Sequence, residues 1–141
     1  MLNMRVIFCT NNLPFSVLIK LVTWSQWHHC GVIVKEQSID YVIHAKASEG
    51  VIKEPLSKFK LDYPNHEIRI MNGDSTDAND LLGHKYDFGG AIGHYFSAWN
   101  DPDKWFCSEL VAYCLDYVNL DFVGRFTPQR CYAMSLSYTS K

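Results

Sequence analysis

The sequence predicts an α+β fold in which a small antiparallel sheet packs against a helix that begins at Cys107. Three observations lead to this prediction. Short runs of β-branched and aromatic residues, separated by turn residues, fill the first half of the chain. Apolar residues recur at helical spacing after Cys107. A chain of 141 residues that is 48% hydrophobic can bury one core, so we expect residues 1–141 to form a single domain.

The first elements are a strand, a helix and a hairpin. Residues 4–10 form a β-rich run, and Pro14 then opens a segment whose apolar side chains recur at helical spacing to residue 24. Two further β-rich runs, residues 28–35 and 40–45, are separated by a break that contains the polar residues 36–38. This spacing predicts an antiparallel hairpin.

Four short elements follow the hairpin: a strand at residues 50–53, a helical turn at 55–59, a strand at 66–71 and a helix at 77–82. Asp74 or Ser75 can cap the last of these, and Gly83 can end it.

The last third of the chain is predicted to carry the main helix. A glycine-rich stretch with aromatic residues starts at Gly83 and leads to a polar loop at residues 101–104. The apolar positions of residues 107–118 fall on one helical face. Pro128 then opens a final helix or strand.

Composition excludes several classes of function. Lys and Arg number 13 against 15 Asp and Glu, without a basic run, so we expect no nucleic-acid partner. The five cysteines include no CxxC pair, which argues against a disulfide framework or a zinc ribbon and favours reduced thiols. No segment is apolar enough to be an export signal or to cross a bilayer, so we expect a cytoplasmic protein without an integral membrane segment.

Cys107 is placed differently from the other cysteines. It lies in the first turn of the predicted helix, where free backbone N–H groups and the positive end of the helix dipole stabilise a thiolate. Cys114 and Cys131 fit the usual role of buried core cysteines. A nucleophilic thiol also needs a nearby base, normally His, and a third polar group that orients the imidazole.

Strand alternation separates the candidate bases. His29 shares a strand face with Gly31, whose missing side chain leaves room for another element to approach closely, whereas His28 lies on the opposite face. His29 is therefore better placed to meet a packed helix end. His44 ends the next strand and can lie beside His29 if the register permits. We expect His29 to be the base, with His28 as the alternative.

A metal site is a further possibility considered for this sequence. His28, His29, Cys30 and His84 are the candidate ligands. Adjacent residues of a strand point to opposite faces, however, and do not easily share one ion. We therefore predict no metal and no cofactor.

Three motifs together resemble the circularly permuted branch of the NlpC-type papain-like cysteine hydrolases, which contains the YiiX-like permuted amidases and the lecithin retinol acyltransferase family. The motifs are the histidine strand from His29 to Val34, a glycine-x-x-tyrosine-aspartate segment from Gly83 to Phe88, and the CSELV segment from Cys107 to Val111. They occur with the histidine before the cysteine, as in that branch, and the resemblance runs from about Met4 to Pro128.

The resemblance implies a permuted papain-like fold and a Cys-His-His site. By position, Cys107 is the nucleophile, His29 the base and then the acid, His44 the residue that orients His29, and Tyr86 a tyrosine near the oxyanion. The implied activity is a cysteine-dependent hydrolase, an amidase or peptidase, or an acyltransferase, acting on a peptide, acyl-lipid or acyl-thioester substrate. The alternative is a catalytically inactive binding or inhibitory protein of the same fold, which has no need for a reactive Cys107.

Overall fold

The fold is built on one five-stranded antiparallel sheet. The computed structural model describes residues 2–14, 16–18, 26–46, 49–86, 104–105, 107–115 and 128–136. The strands of this main sheet are β1 (Asn3–Cys9), β2 (His29–Glu36), β3 (Ile39–Lys46), β4 (Gly50–Pro55) and β5 (His66–Asn72). They lie in the order β4-β3-β2-β1-β5, and each neighbouring pair is antiparallel.

Helices cover both faces of this sheet. They are α1 (Leu56–Asp62), the 3-10 helix η1 (Ser75–Leu81), α2 (Cys107–Tyr113) and α3 (Pro128–Leu136). A separate parallel pair, β6 (Lys85–Tyr86) and β7 (Lys104–Trp105), lies beside β4. None of the described helices is long and apolar enough to cross a membrane.

The two faces of the sheet form two separate apolar clusters, because successive side chains of a strand point to opposite faces. The larger cluster joins β1 and β2 to α2 and includes Phe8, Val32 and Leu110. The smaller cluster packs the other face against α1 around Phe59 and Ile33. The predicted α+β architecture, a small antiparallel sheet packed against the helix that carries Cys107, is confirmed.

Most element predictions agree with the structure, and the hairpin of β2 and β3 is antiparallel as expected. Residues 14 and 16–18 are helical, and the remainder of the helix predicted to residue 24 lies outside the described residues. The predicted turn at residues 55–59 is a longer helix, α1. Residues 75–81 form a 3-10 helix, and the Asp74 side chain accepts from the Thr76 backbone as the expected cap.

The helix predicted over residues 107–118 is too long. In the described residues α2 ends at Tyr113, because the chain then turns and pairs with the end of β5. The Cys114 carbonyl accepts a hydrogen bond from the Asp74 backbone at 2.9 Å, and Leu115 forms an antiparallel bridge with Gly73. Backbone pairing with a distant segment therefore overrides the helical pattern at this end.

Candidate active site

His29 and His44 meet on one face of the main sheet. His29 is the first residue of β2, and His44 lies on the neighbouring strand β3. The antiparallel register pairs Val32 with Ile43, which places the two histidines diagonally on the same face. Their ring nitrogens, Nε2 of His29 and Nδ1 of His44, are 2.8 Å apart. The structure thus brings together the two imidazoles that the sequence singled out.

Gly31 makes this approach possible, because its missing side chain leaves room for the neighbouring strand. A Cβ atom at Gly31 would lie 2.7 Å from Cγ1 of Val42 and 3.1 Å from Cβ of His44. The absent side chain therefore leaves space for another element to approach closely, as expected, and that element is β3.

Glu54 extends this polar row, and the sequence analysis missed it. Its Oε1 lies 2.9 Å from Nε2 of His44, so His44 contacts His29 on one side and Glu54 on the other. Glu54 is on β4, and its register partner Val42 shares a strand face with His44. The sequence signal is only a carboxylate at the end of a short strand, so the strand register is needed to identify this contact.

Cys107 approaches His29 from the opposite side of the sheet. It is the first residue of α2 and is 0% exposed, and its Sγ lies 3.9 Å from the His28 carbonyl oxygen. Burial raises the pKa of this thiol, but hydrogen bonds with the Cys30 thiol and with His29 outweigh burial and lower the pKa of Cys107 to about 5. These two side chains therefore favour the thiolate form of Cys107.

The other cysteines lack this property. Burial raises the pKa of Cys9, Cys30, Cys114 and Cys131 above the usual thiol value. The sequence expectation that Cys107 differs from Cys114 and Cys131 agrees with these directions.

Burial favours the neutral form of both imidazoles of the row. Burial lowers the pKa of His29, and the hydrogen bond with Cys107 opposes that change. Burial also lowers the pKa of His44 to about 3, helped by the positive charges of Lys46 and Lys58. The negative charge of Asp62 acts in the opposite direction and raises the pKa of His44.

Aromatic rings of α1 and its C-terminal flank enclose the two histidines. The Tyr63 ring is stacked on His29 with centroids 5.5 Å apart, and the Phe59 ring meets His44 edge-on at 4.9 Å. Phe59 is fully buried. These contacts restrict both imidazoles to one orientation on the α1 face of the sheet.

The remaining candidate residues lie around this row. His28 is buried with its ring 6.0 Å from the His29 ring, and it meets Cys107 through its backbone carbonyl. Tyr86 belongs to β6, where its backbone pairs with Trp105 of β7, two residues before Cys107. Asp87 and Phe88, the rest of the predicted tyrosine-aspartate segment, lie outside the described residues.

His84 is separate from the histidine row. Its Nδ1 donates to the Leu81 carbonyl at 2.9 Å, and its own carbonyl accepts from the Val51 backbone of β4. Among the described residues, no group of three or more His, Cys, Asp or Glu side chains is placed to hold a metal ion.

Comparison with known proteins gives a family and a structural neighbour. The family described as "Permuted papain-like amidase enzyme, YaeF/YiiX, C92 family" matches residues 5–133. The crystal structure of the metalloprotein yiiX from Escherichia coli O157:H7 is similar to this chain, with a TM-score of 0.58 and 23% sequence identity. The similarity covers 77% of this chain and 61% of the other, so this chain spans less than two thirds of the length of that structure. No curated protein matches the chain.

Proposed function

Because the chain belongs to the permuted papain-like amidase family, YaeF/YiiX, C92, we propose that it is a cysteine amidase with Cys107 as nucleophile and His29 as base. One observation carries this proposal. The hydrogen-bonded row from His44 through His29 ends at the Cys107 thiol, and the pKa of that thiol is lowered to about 5. A protein that only binds its ligand has no need for such a thiol, so this observation favours an enzyme over an inactive binding protein.

The atoms of His29 have separate tasks in this proposal. Its Nε2 faces His44 at 2.8 Å, which leaves Nδ1 as the nitrogen for the Cys107 proton. His44 orients the His29 ring by accepting from Nε2–H, as the third member of a catalytic triad does. Tyr86 is assigned, by its place in the family motif, to the oxyanion that forms during attack.

The proposed reaction has two steps. The Cys107 sulfur attacks the amide carbonyl carbon, the C=O electron pair moves to oxygen, and collapse of this intermediate breaks the C–N bond while His29 protonates the leaving amine. Water then attacks the thioester, with its proton passing to His29, and releases a carboxylic acid and the Cys107 thiol. An amine in place of water would give acyl transfer, and a peptide amide is the substrate class that the family suggests.

The structural neighbour is described as a metalloprotein, which raises the question of a metal in this site. The candidate donors His29, His44 and Glu54 are hydrogen-bonded to one another. No metal-binding group occurs among the described residues. These residues do not fit a metal ion, and no step of the proposed reaction passes through one.

The pH dependence of iodoacetamide labelling at each cysteine, read by mass spectrometry, tests this proposal. We expect a labelling midpoint near pH 5 for Cys107, because its pKa is lowered to that value. The variant His29→Ala should move this midpoint up, toward the usual thiol value of about 8.5, because one of the two side chains that oppose the effect of burial on the pKa of Cys107 is then lost. His28→Ala is the matched control and should leave the midpoint in place.

Two results would contradict the proposal. A Cys107 midpoint in the usual thiol range in the folded wild type would favour the inactive binding protein. If the Cys107 midpoint shifts in His28→Ala but not in His29→Ala, the base is His28 rather than His29. Turnover of peptide anilides, with and without an added amine, then distinguishes hydrolysis from acyl transfer. Cys107→Ala should abolish both activities, and the control Cys114→Ala should abolish neither.

A further inference from the structure

Behind His44 the polar row continues into residues that the proposed reaction does not use. Glu54 Oε1 lies 2.9 Å from His44 Nε2, and its other oxygen accepts from Lys58 Nζ at 3.0 Å. Lys58 also donates to Asp62 at 2.8 Å. Each oxygen of the Glu54 carboxylate therefore has its own partner on a different side.

Glu54 and His44 are buried, so their polar atoms need hydrogen-bond partners within the protein. Glu54 is 8% exposed and His44 is 0% exposed. A buried carboxylate is costly unless it is paired and hydrogen-bonded. Lys58 supplies the compensating charge from α1. The carboxylate is then free to act on His44 as a hydrogen-bond acceptor alone.

An ionised carboxylate only accepts hydrogen bonds, and this fixes the proton positions along the row. Nε2 of His44 must carry the hydrogen that Glu54 accepts, so in neutral His44 the nitrogen Nδ1 is the acceptor. Nδ1 lies 2.8 Å from His29 Nε2, which must then be the donor. In neutral His29 this leaves Nδ1 unprotonated and able to receive a proton.

From this geometry we propose that Glu54 is a positioning residue that fixes the tautomer of His44 and, through it, the nitrogen with which His29 receives the Cys107 proton. The inference rests on the proposed function. Once His29 has taken that proton both of its nitrogens carry hydrogens, and Nε2–H needs the acceptor that His44 provides only in this tautomer.

Charged or titratable groups face His44 from each element that packs against it. They are His29 on β2, Lys46 on β3, Glu54 on β4, and Lys58 and Asp62 on α1. His29 Nε2 is the partner of His44 Nδ1, and Glu54 Oε1 is the acceptor facing Nε2. Without Glu54, neutral His44 can carry its hydrogen on Nδ1 instead of Nε2. Two N–H donors, Nδ1–H of His44 and Nε2–H of His29, then face each other with no acceptor between them. The protonated His29 beside the Cys107 thiolate then loses the hydrogen bond from its Nε2–H to His44.

The tautomer itself can be measured in the wild type. Long-range ¹H–¹⁵N NMR spectra distinguish a protonated from an unprotonated ring nitrogen, and we expect His44 to have a protonated Nε2 and an unprotonated Nδ1 near pH 7. The opposite pattern would overturn the inference, whether or not any variant folds.

The variant Glu54→Met tests the consequence for Cys107, since methionine has similar length and cannot accept the hydrogen bond. We expect the iodoacetamide midpoint of Cys107 to rise by at least one pH unit, a tenfold loss of thiolate relative to thiol at a fixed pH. We also expect the His44 nitrogen pattern to change. The matched control is Glu36→Met, because Glu36 makes a 2.8 Å ion pair with Lys53 but is far more exposed, and it should change neither measurement.

The results separate the two proposals. If His29→Ala raises the Cys107 midpoint while Glu54→Met changes neither the midpoint nor the His44 pattern, the role of Glu54 is wrong and the proposed function stands. If the wild-type midpoint lies in the usual thiol range, the proposed function fails, and the wild-type nitrogen pattern still decides the tautomer.

Discussion

The face of the main sheet that packs against α2 differs from the face that packs against α1 in both size and polarity. The α2 face carries the larger apolar cluster, including Cys30, Cys107 and Cys131. The α1 face has a small apolar cluster around Phe59 and also carries the row of His29, His44 and Glu54. One face therefore carries most of the buried apolar side chains, and the other carries the hydrogen-bonded histidines and carboxylate.

This difference explains where the proposed catalytic pair lies. Cys107 belongs to the α2 face and His29 to the α1 face, yet His29 is near enough to lower the pKa of Cys107. His29 is the first residue of β2 and Cys107 the first residue of α2. At the end of a strand a side chain can reach past the edge of the sheet, so groups from the two faces can meet there without breaking a backbone ladder.

The largest expected effect is a loss of stability when one large apolar side chain is removed from either face of the sheet. Phe59 and Leu110 are fully buried on the α1 and α2 faces. We expect Phe59→Ala to lower the free energy of unfolding by about 3–5 kcal/mol and Leu110→Ala by about 2–5 kcal/mol, measured by urea denaturation. Only Phe59→Ala should also raise the Cys107 labelling midpoint, because Phe59 packs against both histidine rings. Equal shifts of the midpoint in the two folded variants would remove the functional distinction between the faces.

A smaller effect is expected from Gly31→Ala, which perturbs only the α1 face. The new Cβ would lie 2.7 Å from Val42 Cγ1 and 3.0 Å from the Ile43 carbonyl oxygen, so β3 must move. We expect a loss of about 1–3 kcal/mol in the free energy of unfolding. The labelling midpoint of Cys107 should rise as well, because His44 moves away from His29. A folded variant with wild-type stability and midpoint would show that the close approach of His44 is unimportant.

The smallest effect, per pH unit, is the fall in the free energy of unfolding at acid pH that we expect from His44 on the α1 face. An unfolded His binds its proton near pH 6.5, whereas the pKa of folded His44 is lowered to about 3. Between these values the unfolded state binds more protons, so the free energy of unfolding should fall as pH falls, by up to about 1.4 kcal/mol per unit from this group. Urea denaturation at several pH values from 6.5 to 4.5 measures the slope. His44→Gln should reduce it, and an unchanged slope would mean that His44 is not held neutral.

Much of the site follows from local patterns in the sequence. The start of a helix at Cys107 and the alternation that separates His28 from His29 can both be read from short segments, since they depend on periods of 3.6 and 2 residues. The same patterns predict the strands and the Asp74 cap. The over-extended helix beyond Tyr113 shows the limit of this reasoning, because pairing of Leu115 with Gly73 depends on a segment far away in the chain.

The sequence by itself determined the fold class and the order of the elements, because both depend on residue type and local spacing. The selection of Cys107, His29 and His44 as candidate site residues also used the family resemblance. Only the tertiary structure decided that Gly31 accommodates β3 and that Glu54 contacts His44. Both facts depend on strand register, which brings together atoms from separate strands. A shift of one residue would send every side chain of a strand to the other face, so local pattern alone does not specify these contacts.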